Sequence, residues 1–330
     1  MIDRGPINPK ELVAVDIEGF RHSTRDIGFD VYLKLAEDNV AHVFSRTTGI
    51  DYKRLAQYIQ RGVKYLYVHR ADEDLCKEFM RNSARSIFED PKSTVEKKIA
   101  SLLNMTEQNI SEVFSQMNVS EETAMKTKQV VQGYVDLMAK SPQTLATILK
   151  LVAHGDYLYY HSIAVAIFSI FIARASGQFN QRMMEIVGLG GFLHDIGETQ
   201  LPKELVCNPN AFTDEQWTEM KEHPKLGMQM IETTPNIPDE VRYIVYQHHE
   251  QPGGDGYPNH LHSPVIYYPA KIVALADALS ALISKRPHRP SYTIEEAIEM
   301  IRKDAGKFDR QLVDVMVGVF LKDSAKKKSA

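Results

Sequence analysis

The sequence predicts a mainly α-helical protein: a helical bundle in the carboxy-terminal half, preceded by a small α+β module. Three observations predict it. Short runs of alternating apolar residues, the period of a half-buried strand, occur only in the first 70 or so residues. From Asp72 onward helix-start signals replace them. Beyond residue 150, histidines and aspartates recur at intervals of 25 to 33 residues, each about one helix, a loop and a second helix, so that successive helices of a bundle can each point one polar side chain at a shared centre. With 330 residues, 43% of them hydrophobic, the chain fills one large or two medium cores. The expected division is 1–70 as the α+β module, 71–140 as a helical connector and 141–330 as the bundle domain.

In the module, FDVYLKLAED from Phe29 alternates, with Val31, Leu33 and Leu35 on one face; after a turn at Glu37-Asp38-Asn39 a second strand, VAHVFS, completes a hairpin. Asp51 is placed to cap a helix carrying Leu55, Tyr58 and Ile59, which Gly62 stops before the β-rich VKYLYVH. The expected order is strand, strand, helix, strand, with no catalytic cluster, so the module reads as sensory or structural. Further on, Ser120 before two glutamates, Ser141-Pro142 and Asp156 mark helix starts. Val130, Tyr134, Val135 and Met138 form an apolar stripe that could pack within the chain or against a second copy; the intrachain reading is preferred and the oligomeric state stays open.

Composition narrows the function. A formal net charge of −4 argues against binding polymeric nucleic acid, which needs excess Lys and Arg. Cys76 and Cys207 give neither a disulfide framework nor a CxxC metal pair, and the amino terminus has no signal-peptide core, so the expected location is cytoplasmic. The apolar run Ser162 to Ala175 is shorter than the roughly 20 residues that span a bilayer and reads as a buried core helix. The basic ending KDSAKKKSA reads as a solvated tail.

His161, His194, His223, the pair His248-His249, Asp195 and Asp277 make up the regularly spaced series; His154 lies outside it. Taken alone, His161 in YLYYHSIAV would be a hydrogen-bonded core histidine. Asp277 in KIVALADALSALIS and Asp195 after GLGGFLH are different, because an unpaired buried carboxylate costs several kcal/mol and calls for a cation or strong donors. Adjacent His248 and His249 differ by about 100° on a helix, so both face one site only at a helix flank or end. Seven imidazoles and carboxylates in one series suit Zn, Fe, Mn or Ni.

These residues, within LHDIGE, followed by LPKELV, EHPKLG, QHHEQPGGDGYP and ALADALSALISKRPHR, resemble the HD-GYP subgroup of HD-domain phosphohydrolases over roughly residues 150 to 325. The resemblance implies hydrolysis of cyclic di-GMP to linear pGpG or GMP by a centre of two divalent transition-metal ions, iron foremost and manganese next. It makes His161, His194, Asp195 and Asp277 ligands of one ion and Asp195, His223, His248 and His249 ligands of the other. Asp195 would bridge them, as the reacting centre's main catalytic residue. Arg286 and Arg289 match substrate-phosphate positions. Tyr257 in the GGDGYP loop could orient a phosphate or guanine, although the loop could equally be a turn that positions the adjacent histidines. The place of a third-metal glutamate is Tyr157, so two ions are expected. A segment beginning near Ser141 is expected to retain the metals.

Some positions depart from the family's pattern. Glu198 replaces a lysine, Ser280 an aspartate, His288 a tyrosine and Lys271 an arginine. Altered partners around intact ligands typically cost 10–100-fold in affinity or activity. Two alternatives to a cyclic di-GMP phosphodiesterase follow: a metal-containing cyclic di-GMP receptor or protein-interaction module with weak turnover, and a hydrolase for another phosphoester or cyclic dinucleotide.

Overall fold

A computed structural model describes residues 7–21, 23, 26–37, 39–141, 144–145, 148, 157–208, 210–284, 291–304 and 306–321. Two compact units divide at Met105 and Thr106. The first carries a four-stranded antiparallel sheet and the second is helical, so the fold is mainly helical with its strands at the amino-terminal end, as the sequence predicts.

In the first unit the strands are β1 (Leu12–Asp16), β2 (Val31–Ala36), β3 (Asn39–Phe44) and β4 (Tyr65–His69), in the sheet order β1-β4-β2-β3. Helix α1 (Tyr52–Gln60) starts as expected: the Asp51 carboxylate accepts the Lys53 and Arg54 N–H groups. The turn after it uses Gly62 at φ +79°. The core gathers Phe20, Phe29, Val31, Phe44, Leu55, Leu66 and Val68 against Cys76 and Met80 of helix α2 (Glu73–Glu89). Burial, with Asp72 and Glu73 nearby, pushes the Cys76 thiol up to about 12.

Two expectations change here. The apolar face of β2 does not continue to its end, because Leu35 is 62% exposed while Val31 is fully buried. The register shifts between Lys34 and Ala36, so the hairpin tip leaves the core. The order also gains a strand: β1 pairs with β4 from Leu12 opposite His69 to Asp16 opposite Tyr65. Its run LVAVD carries no apolar–polar alternation, because Leu12, Val13, Ala14 and Val15 are all apolar, and only Leu12 of them is buried.

The division between units falls inside helix α3 (Val95–Gln116). Helix α4 (Glu121–Lys140), capped by Ser120 accepting from the Thr123 N–H, lies wholly in the second unit. Val130, Tyr134, Val135 and Met138 are all buried, so this chain itself covers the stripe. Behind α4 stand α5 (Tyr157–Ser176) and α6 (Gln181–Leu193). Then come α7 (Lys203–Val206), α8 (Asp214–Met220), α9 (His223–Glu232), α10 (Asp239–Gln247), α11 (Tyr268–Ile283), α12 (Ile294–Lys303) and α13 (Arg310–Phe320). Helix α5 is packed by α6 and α11 and buries residues on every side, Ile163, Val165, Ile167 and Phe168 among them, as a core helix does. Among the described residues no helix is long and apolar enough to cross a membrane.

Candidate metal centre

Close backbone packing brings the seven residues together. A Cβ on Gly191 would lie 2.9 Å from the Ala166 Cα, so α6 approaches α5 as only glycine allows and carries His194 to His161. After the short 3-10 segment begins at Ile196, a Cβ on Gly197 would run into the His223 carbonyl oxygen, so this turn rests directly on the start of α9. Glycines in GLGGFLHDIG thus bring the end of α6 and the start of α9 together at Asp195.

Asp195 is the hub. Its Oδ2 lies 2.9 Å from His194 Nε2 and 3.8 Å from His161 Nε2; its Oδ1 lies 3.5 Å from His223 Nε2 and 3.6 Å from His248 Nε2. Ligating atoms of Asp195, His223, His248 and His249 fall within 4.8 Å of one another, and so do those of His161, His194 and Asp195. Asp277 Oδ1 is 3.1 Å from His161 Nε2 and so lies beside the second group. His248 is the residue that ends α10, so the adjacent pair sits at a helix terminus, where both rings can turn inward.

Hydrogen bonds at the far side of the rings decide which nitrogen faces the centre. His194, His223 and His248 each donate Nδ1–H to a main-chain carbonyl three residues earlier: Gly191, Met220 and Val245, at 2.8, 2.8 and 2.7 Å. A carbonyl only accepts, so in these three Nδ1 carries a proton and Nε2 is the nitrogen that faces the centre. His223 and His248 then face each other, Nε2 to Nε2, at 3.3 Å. His194 Nε2 is buried with an Asp195 carboxylate oxygen 2.9 Å away. Converging acceptors of this kind fit divalent cations, and the imidazole and carboxylate set suits a transition metal.

Electrostatics separate the residues further. Burial raises the carboxyls of Asp195 and Asp277, yet their imidazole partners outweigh it and hold both below the usual carboxylate range. Burial also opposes charge on His194, but Asp195 overrides it and pushes the imidazole up to about 9. Burial brings His223 down to about 4, and burial with His248 and His223 holds His249 well below its usual value. Tyr257 stacks on His249 with centroids 4.7 Å apart, and burial, with Asp195, Asp277 and Glu198, raises its phenol. Glu198 thus acts on the ring that lies over the centre.

Of the departing positions, Ser280 is fully buried with its Oγ 3.0 Å from His161 Nδ1. Lys271 donates to Ser263 at 2.7 Å and lies 3.5 Å from Asp309, so its described partners belong to the surrounding scaffold. Arg286, His288, Arg289 and His154 lie outside the described residues, as does the side chain of Tyr157. Two further groups were not singled out in sequence. The Glu250 carboxylate accepts from the Asn259 and Leu261 N–H groups and holds the loop bearing Tyr257, and Lys221 Nζ is 5.7 Å from the Tyr257 ring centroid.

The family model described as HD domain matches residues 175–312, a stretch that carries His194, Asp195, His223, His248, His249 and Asp277. Cyclic di-GMP phosphodiesterase PA4108 of Pseudomonas aeruginosa is 30% identical over 178 residues, covering 54% of this chain and 43% of that protein. The 3'3'-cGAMP-specific phosphodiesterase 1 of Vibrio cholerae is 29% identical over 170 residues, covering 50% of this chain and 38% of that protein. Bd1817, a HDG"Y"P protein from Bdellovibrio bacteriovorus, shares the fold with a TM-score of 0.69 at 19% identity, over 93% of this chain and 99% of that one. Within the HD-domain class, the chain is related to the HD-GYP cyclic di-GMP phosphodiesterases. It spans about half or less of the length of the curated relatives it matches.

Proposed function

We propose that the chain hydrolyses a cyclic dinucleotide, cyclic di-GMP first among them, to pGpG or GMP in bacterial second-messenger signalling. The observation that carries this reading is the pair of ligand groups that share Asp195, one on each carboxylate oxygen. Two divalent ions held there, iron or manganese, would supply an acidified water as nucleophile and neutralise charge building on the phosphoryl oxygens. Asp195 fixes the spacing of the two groups. Asp277 and the inward Nε2 atoms face the centre as its donors. Tyr257, its phenol held protonated, donates a hydrogen bond to a phosphoryl oxygen while its ring packs on His249. Arg286 and Arg289 grip substrate phosphate through paired N–H donors. The amino-terminal unit is sensory or structural, and a signalling protein is its candidate partner.

One observation favours a second reading, a receptor with weak turnover: Glu198 adds a third carboxylate acting on Tyr257 where an anionic substrate would lie. A third concerns the base, since a relative is named for 3'3'-cGAMP. Purified protein assayed against a panel of cyclic dinucleotides, with elemental analysis, separates the three. Metal with turnover of cyclic di-GMP supports the proposal. Metal with binding and no turnover supports the receptor, and preference for another dinucleotide supports the third.

A further inference from the structure

Resting on the two-ion reading, a difference among the histidines carries a further step. His194, His223 and His248 are locked by carbonyls, which only accept, but His161 Nδ1 meets the buried hydroxyl of Ser280 at 3.0 Å. A hydroxyl both donates and accepts. His161 therefore has two fully bonded forms. In one, Nδ1–H donates to Ser280 and the Nε2 lone pair faces the centre. In the other, Ser280 donates to Nδ1 while Nε2–H donates to Asp277 Oδ1, 3.1 Å away, so that His161 and Asp277 occupy each other. The second form has to be undone before a cation can enter. His223 and His248, with Nε2 atoms 3.3 Å apart and both Nδ1 protons committed, have no such alternative, and a cation relieves their opposition.

We propose that Ser280 is the positioning residue for His161, and that the ion held by His161, His194, Asp195 and Asp277 is consequently the more weakly held of the two, last to load and first to leave.

The test titrates metal-free, full-length chain with Mn²⁺ by calorimetry and counts bound manganese by elemental analysis. Wild type is expected to bind in a tight and a weak step. Ser280→Ala should loosen the weak step about 10- to 100-fold, the usual effect of removing a ligand's hydrogen-bond partner, and leave the tight step unchanged. Ser280→Asp, which as a carboxylate only accepts, should tighten the weak step about tenfold or more. Ser280→Thr keeps the hydroxyl and should stay near wild type, which separates loss of the hydrogen bond from disturbed packing. The proposal is overturned if Ser280→Ala leaves both steps unchanged, if it moves the tight step or abolishes both while Ser280→Thr retains them, or if Ser280→Asp fails to tighten the weak step. Wild type that binds no Mn²⁺ would instead bring down the two-ion reading itself.

Discussion

The two halves of the centre meet at one carboxylate but solve the problem of buried polar groups in opposite ways. Around His223, His248 and His249, imidazoles crowd against one another, and burial keeps His223 and His249 neutral, the former down to about 4. Around His161 and His194, imidazoles meet Asp195 and Asp277, and His194 is pushed up to about 9. One half awaits a positive charge; the other already attracts a proton into the same place. Cation binding would therefore be relief of lone-pair opposition on one side and proton displacement on the other.

The largest effect should come from the residue the halves share. Asp195→Ala is expected to reduce bound metal from about two ions to almost none, whereas His223→Ala and His161→Ala should each remove one. Elemental analysis after dialysis distinguishes these outcomes, and retention of one ion by Asp195→Ala would mean that the halves are independent.

Both halves also share a support, because α6 delivers His194 and Asp195 and packs against α4. A chain beginning at residue 106 should keep both ions. One beginning at 141 loses the buried side chains of Val130, Tyr134, Val135 and Met138, each worth about 1.5–3 kcal/mol for the aliphatic ones, and should unfold at markedly lower temperature. Equal melting temperatures for the two would show that α4 is dispensable.

Protons give a graded contrast. With Asp195 pushing the His194 imidazole up to about 9, an ion entering its half is expected to expel a proton, and its affinity should rise about tenfold per pH unit until about pH 9. His223 is already neutral above about 4, so the other half should show little pH dependence at neutral pH. Calorimetry in two buffers of different ionisation enthalpy counts the protons; equal release in both steps would erase the distinction.

The smallest change expected lies at the mouth, where Glu198 and Lys221 both act on Tyr257 with opposite charge. A carboxylate about 4 Å from an anionic phosphate repels it by roughly 1 to 4 kcal/mol. Glu198→Lys should tighten cyclic di-GMP binding or raise kcat/KM about tenfold, less at high salt. Measurements at two ionic strengths that show no gain at either would clear Glu198 of any part in weak turnover.

What was legible in sequence was what apolar surroundings made conspicuous. Asp277 among Ala, Leu and Val, Asp195 after GLGGFLH, and histidines one hairpin of helices apart announce a polar centre because burial would otherwise be costly. The hairpin and the caps at Asp51 and Ser120 were legible for a similar local reason. The bond between His161 and Ser280 was not, because it joins residues 119 apart and a serine inside an apolar helix can instead donate its hydroxyl to a carbonyl of the preceding turn. Lys221 was hidden among other charges in KEHPK, and β1 by a run too short and too evenly apolar to show a period. The division at residue 105 lies within a continuous helix, where composition gives no sign of it.

The central claim is that Asp195 joins two cation sites into one hydrolytic centre. Its most direct test is metal analysis of the purified chain, with iron or manganese supplied, beside a cyclic di-GMP hydrolysis assay on the same sample. About two ions per chain, with turnover that disappears together with both ions in Asp195→Ala, is the predicted result. A folded chain that binds neither metal would contradict it.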